Sequence, residues 1–180
     1  MGGRRVGLSD MLRIVFAEDT YGKKFHMAII RKLRENDELD PSVGIRVDSR
    51  PVRKCDAKLK RIVLSKVIEG EQVKVLFVID SEGRSNAEYD VLNHFRGLPD
   101  KVLVRVVAVN PMHEAWLCIG LGGDRRVCRQ DPVGALSRLR GDYEKRYLGE
   151  WASRVDIGNL MTEQDFGEYL SALRWLVQDP

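Results

Sequence analysis

Short apolar runs rich in β-branched residues recur along the chain and predict buried strands. They are LRIVFAE (Leu12 to Glu18), VKVLFVID (Val73 to Asp80) and KVLVRVVAVN (Lys101 to Asn110). A weaker one, VGIRVDSRP (Val43 to Pro51), alternates Val43, Ile45 and Val47 with Gly44, Arg46 and Asp48. That period of two predicts a strand nearer the sheet edge, with one face in water. Helical patterns fill the gaps. Phe25, Ile29, Ile30 and Leu33 fall at helical spacing after Thr20, which reads as the N-cap. Leu59, Ile62, Val63 and Val67 form a second stripe, closed by Gly70. Ser85 to Phe95 forms a third, with Ser85 and Glu88 at the spacing of a capping box. Pro111 opens a fourth, as a proline can in a first turn, and it runs through Ala115, Trp116 and Ile119 to glycines 120, 122 and 123. Two more span Pro132 to Tyr147 and Thr162 to Val177.

The order β-α-β-α-β-α-β-α-α-α predicts an α/β fold, a three-layer, Rossmann-like and mostly parallel sheet of about four strands with right-handed crossovers and extra C-terminal helices. No linker or repeat divides the 180 residues, a length suited to one domain. In such sheets, functional groups gather beyond the carboxyl ends of the strands.

Composition narrows the class. With 43% hydrophobic and 32% charged residues, the chain is neither disordered nor fibrous. No apolar run approaches the roughly 20 residues that span a bilayer, so no membrane association is expected. The first ten residues lack the apolar stretch of a signal peptide, and translation from Met1 or from Met11 fits them equally. Cys55, Cys118 and Cys128 are odd in number and widely spaced, which reads as free thiols in a cytoplasmic protein. The net charge of +3 says little, but its distribution says more. Between Pro41 and Lys66, eight Lys and Arg face Asp48 and Asp56 alone, while residues 156–180 carry a local −4. The basic stretch can attract a phosphate backbone or simply be a solvated helix face with a charged loop.

The predicted strand ends carry the chemistry. Glu18-Asp19 follows the first run, Asp80-Ser81-Glu82-Gly83 the second strong one, and Asn110 the last, with Glu114 shortly after. Parallel strands bring these ends to one edge, and carboxylates gathered there repel unless a cation such as Mg²⁺ or Mn²⁺ neutralises them. Asp80 and Glu82, two residues apart, leave an extended segment on one face. The plainer reading is that each acid caps the helix that follows it. The three histidines show no metal-ligand spacing. His26 lies in an apolar helix and reads as structural, whereas His113, beside Glu114, is a candidate proton carrier. Gly120-Leu121-Gly122-Gly123 follows a helix and reads as a C-cap and turn, not a phosphate cradle.

Three segments together resemble the TOPRIM fold of topoisomerases, bacterial primases and the OLD-type and RloB-type nucleases: LRIVFAEDTYGKKFHMAIIRKL, VLFVIDSEGRSNAEYDVL and VAVNPMHEAWLCIGLGG. The resemblance covers residues 11–123, leaving 124–180 as a helical C-terminal extension. It implies that Glu18 is the first-strand acid/base or metal ligand, that Asp80 and Glu82 are the paired acids holding Mg²⁺ or Mn²⁺, and that Glu114 stands beside them. Two positions depart from the family pattern: Asp19 replaces the usual glycine, and Glu82 replaces an aspartate. The expected function is a metal-dependent nuclease or phosphoryl-transfer enzyme, with Arg50, Arg53, Lys54 and Lys58 on the backbone of DNA or RNA. The alternatives are a non-catalytic TOPRIM-like subunit that binds nucleic acid, a partner protein or its own copy, and a receiver-like signalling module phosphorylated at Asp80.

Overall fold

The computed structural model describes residues 11–51, 57–68 and 72–179. Its four strands are β1 (Met11–Ala17), β2 (Arg46–Ser49), β3 (Gln72–Asp80) and β4 (Val102–Val109). All pair in parallel, in the order β2-β1-β3-β4. Helices α1 (Thr20–Glu35), α2 (Ala57–Ile68) and α3 (Ala87–His94) connect them, and α4 (His113–Gly120) follows β4. Then come α5 (Arg125–Gln130), α6 (Pro132–Arg140), α7 (Leu148–Ala152) and α8 (Gln164–Val177). The fold is Rossmann-like α/β. Because β2 and β3 lie on opposite sides of β1, the crevice where the chain reverses direction opens between the carboxyl ends of β1 and β3.

Strand alternation sorts the core into two layers. Val15, Leu76, Val78, Val107 and Val109 pack against α1, α4 and α8. Ile14, Phe16, Val73, Val75, Phe77 and Ile79 pack against Val63 of α2 and Ala87, Val91 and Phe95 on the other face. Lys74, a charge in an apolar strand, is buried because its Nζ donates to the carbonyls of Trp175 and Gln178 at 2.9 and 2.7 Å. These are orphan carbonyls at the end of α8, so the lysine both caps that helix and ties it to the sheet.

Several boundaries differ from the sequence reading. Asp19, not Thr20, caps α1, with Oδ1 accepting from the Gly22 N–H at 2.7 Å. The capping box at Ser85 does not form: α3 starts after Asn86, and Glu88 instead accepts from the Ala108 N–H on the free edge of β4 at 3.0 Å. A bare edge amide competes successfully for that carboxylate. Pro111 stands ahead of α4, whose N-cap is Met112. The span Pro132 to Tyr147 breaks at Gly141, where φ is 90°.

Cys118 and Cys128 are joined in a disulfide, both fully buried, so the free-thiol reading fails for this pair; Cys55 lies outside the described residues. The turn after α4 folds α5 back, and Gly123 allows it: a Cβ there would lie 2.6 and 2.7 Å from the two sulfurs. Cysteine counting cannot detect a bridge that depends on this turn. Reducing the bond should cost about 2–3 kcal/mol of stability. Urea unfolding with and without dithiothreitol measures it, and Cys128→Ser should show the same loss with no further effect of reductant.

Candidate functional site

Glu18, at the end of β1, and Asp80, at the end of β3, stand on either side of the crevice. The Asp80 N–H donates to Glu18 Oε2 at 2.8 Å, locking the two strand ends together. His113 and Glu114, the first residues of α4, complete a small recess with Asp19, Gly22, Lys145 and Leu148. Its interior is about 10 Å³, room for at most one water. α1 and α4 both begin here, so two helix N-termini stabilise the acids.

Four acidic side chains and two basic ones therefore meet: Glu18, Asp19, Asp80 and Glu114 with His113 and Lys145. Tyr143 Oη donates to Glu114 Oε1 at 3.1 Å, and Lys145 Nζ is 2.9 Å from Asp19 Oδ2. Burial on its own would lower the Lys145 pKa, but the bond and charge of Asp19, with the charges of Glu114 and Asp80, raise it above its ordinary value. Burial and the Glu114 charge push the Tyr143 hydroxyl upward, so it stays a donor.

Behind Asp80 runs a buried hydrogen-bonded chain. The His113 backbone N–H and its ring Nδ1 both bond Asp80 Oδ1, at 2.9 and 2.5 Å. His113 Nε2 lies 2.8 Å from His26 Nε2, and His26 Nδ1 lies 2.8 Å from Tyr169 Oη. Burial opposes charge on His113, yet the Asp80 carboxylate, then Glu114 and Glu18, hold its pKa above the usual histidine value. Burial and the neighbouring His113 charge push His26 well below that value. Burial likewise works against the Asp80 carboxylate, but the His113 charge and bonds keep its pKa low. Two proton arrangements satisfy every ring nitrogen. In one, a doubly protonated His113 donates to His26, which donates from Nδ1 to Tyr169; in the other, a neutral His113 accepts from His26 Nε2–H while the Tyr169 hydroxyl donates to His26 Nδ1. The Asp80 carboxylate, which raises the His113 pKa, favours the first. Phe25 meets both imidazoles edge-on, and Trp116 and Phe166 pack around Tyr169, sealing the chain from water.

Of the residues singled out in the sequence, Glu18, Asp80, His113 and Glu114 meet in this recess, and Glu82 does not. β3 ends at Asp80, and the chain turns: the Glu82 N–H donates to the Pro111 carbonyl, and Glu82 has φ 51°. Side-chain alternation along an extended strand ends there, so Glu82 lines a separate pocket with Arg84, Asp90 and His94. Arg50 is exposed, and its N–H donates to the Ala17 carbonyl at 2.8 Å, which places it at the same sheet edge, next to Glu18. Arg53 and Lys54 lie outside the described residues, as does the side chain of Lys58. In the sequence Asp19 reads as a strand-end acid without an assigned role and His26 as structural, and Tyr143, Lys145 and Tyr169 escape that reading. No spacing rule links residues so far apart, and three of these five belong to the C-terminal helical segment.

The geometry defines an α/β protein with an acidic recess at the switch point of its sheet. Comparison with protein-family models, with curated proteins and with solved structures finds no match to the chain.

Proposed function

We propose that this chain is a divalent-cation-dependent nuclease or phosphoryl-transfer enzyme acting on nucleic acid, in the manner of TOPRIM proteins. The observation that carries the reading is the hydrogen-bonded meeting of Glu18 and Asp80 across the switch point, with Glu114 in the same recess. Their hard oxygen donors suit Mg²⁺ or Mn²⁺, and four carboxylates outnumber the two basic side chains, Lys145 and His113, so the recess is net acidic. Among the described residues, no three His, Cys, Asp or Glu side chains are spaced as a ready-made metal site. Binding would therefore draw Glu18, Asp80 and Glu114 inward. A bound ion supplies an activated water and neutralises charge on the phosphate. His113 has both ring nitrogens engaged and serves by orienting Asp80. Arg50, at the same edge, would hold the polymer backbone.

A non-catalytic subunit that binds nucleic acid or a partner is the second reading, favoured by the internal compensation of the acids by Lys145 and His113. End-labelled DNA and RNA incubated with Mn²⁺, Mg²⁺ or EDTA separate the two. Cleavage that requires the cation is the expected result; binding without cleavage under any of these conditions selects the second. Acetyl-phosphate labelling of Asp80 would instead mark a receiver-like module. Arg50→Ala should weaken nucleic-acid binding across sequences and reduce the salt slope by roughly one unit, read by titrations at several salt concentrations.

A further inference from the structure

The recess has two basic side chains, and they are held very differently. His113 is 4% exposed and tied by two bonds to Asp80 and one to His26. The Lys145 side chain is 49% exposed and is held at Asp19 by one ion pair. Yet the backbone that carries Lys145 is anchored on both sides. Tyr143 bonds Glu114, Leu148 is buried, and Gly149 lies so close to α1 that a Cβ there would sit 2.4 Å from the Lys24 Cβ. A short 3-10 turn, Lys145–Tyr147, thus fixes the base of the lysine at the recess, while its half-exposed ammonium is held by the Asp19 pair.

We infer that Lys145 is the built-in counter-cation of the recess, compensating its carboxylates when no divalent ion is bound and opposing the entry of such an ion. The inference rests on the cation reading proposed above. An incoming ion would meet the Lys145 charge within the same partly desolvated space, where like charges a few ångströms apart repel strongly. Displacing this lysine requires breaking one half-exposed pair, whereas displacing His113 would break a buried chain. A merely structural lysine has the opposite signature. Losing the Lys145–Asp19 pair would loosen the cap of α1 and the recess, and cation binding would weaken.

The test is titration of the full chain with Mn²⁺, followed by calorimetry and by the electron paramagnetic resonance signal of free Mn²⁺. Lys145→Met should tighten Mn²⁺ binding about tenfold, and Lys145→Arg should keep the wild-type affinity. Thermal unfolding checks that each variant is folded, with Lys145→Gln as the substitute should the Met variant fail to fold. Binding seen only in the neutral variant would equally support the inference. Unchanged or weaker affinity in the neutral variant, with Mn²⁺ still bound by the wild type, overturns the inference and leaves the cation reading standing. No Mn²⁺ binding by either protein overturns both.

Discussion

Asp80→Asn should abolish the rise in thermal midpoint that Mn²⁺ gives the wild-type protein and lower cation-dependent cleavage more than about a hundredfold. A ligand bound only by the native state raises stability by mass action, so the shift reports the site directly. Changing even an outer-shell partner commonly costs about 10- to 100-fold in metal affinity or activity, and Asp80 stands closer than that. The substitution removes one charge and almost no volume, and Asn Oδ1 can still accept from the His113 ring. The protein should therefore stay folded while losing the charge that raises the His113 pKa. Glu82→Gln is the matched control. It removes the same charge two residues away, but outside the recess, and should leave the Mn²⁺ shift in place. Equal responses in the two variants would count against the assignment of Asp80.

His26→Leu should destabilise the protein by about 3 kcal/mol, because it leaves the buried His113 Nε2 without a hydrogen-bond partner beside Asp80. The pH dependence separates this from a packing defect. The His26 pKa is depressed in the folded protein, so only the unfolded chain takes up its proton as pH falls below about 6.5. Wild-type stability should decline on that acid side. The His113 pKa is raised, so the stability it contributes is full below about 6.5 and is lost as pH rises through its folded value. Asp80 adds stability above its ordinary value of 3.8, which is lost as pH falls through its depressed one. In His26→Leu, the decline between 6.5 and the carboxylate range should disappear while the alkaline decline persists. Urea unfolding from pH 5 to pH 9 reads both limbs.

How far the sequence announces this site depends on the range over which each rule acts. Glu18 and Asp80 are legible because each ends a β-branched apolar run, and parallel strands must deliver their carboxyl ends to one edge. Once the strands are in place, their alternation sorts the core into two layers, with Lys74 on the face that receives the end of α8. Glu82 misleads because alternation holds only while the chain stays extended, and it turns at Ser81. Glu88 misleads because an unpaired amide on edge strand β4 outbids the local cap. The His113–His26–Tyr169 chain draws on α4, α1 and α8, and Lys145 arrives from a short turn without periodicity. Their meeting is set by tertiary packing, which local pattern does not encode. The same holds for the disulfide, which depends on Gly123 letting two short helices close on each other.

The most direct test of the central claim is a crystal of the protein soaked in Mn²⁺, measured for anomalous scattering. The account predicts one Mn²⁺ peak in the recess, with oxygens of Glu18, Asp80 and Glu114 at about 2.1 Å and the Lys145 ammonium moved off Asp19. A recess without a peak at saturating Mn²⁺, or a peak bound by Glu82 and Asp90 instead, would contradict it.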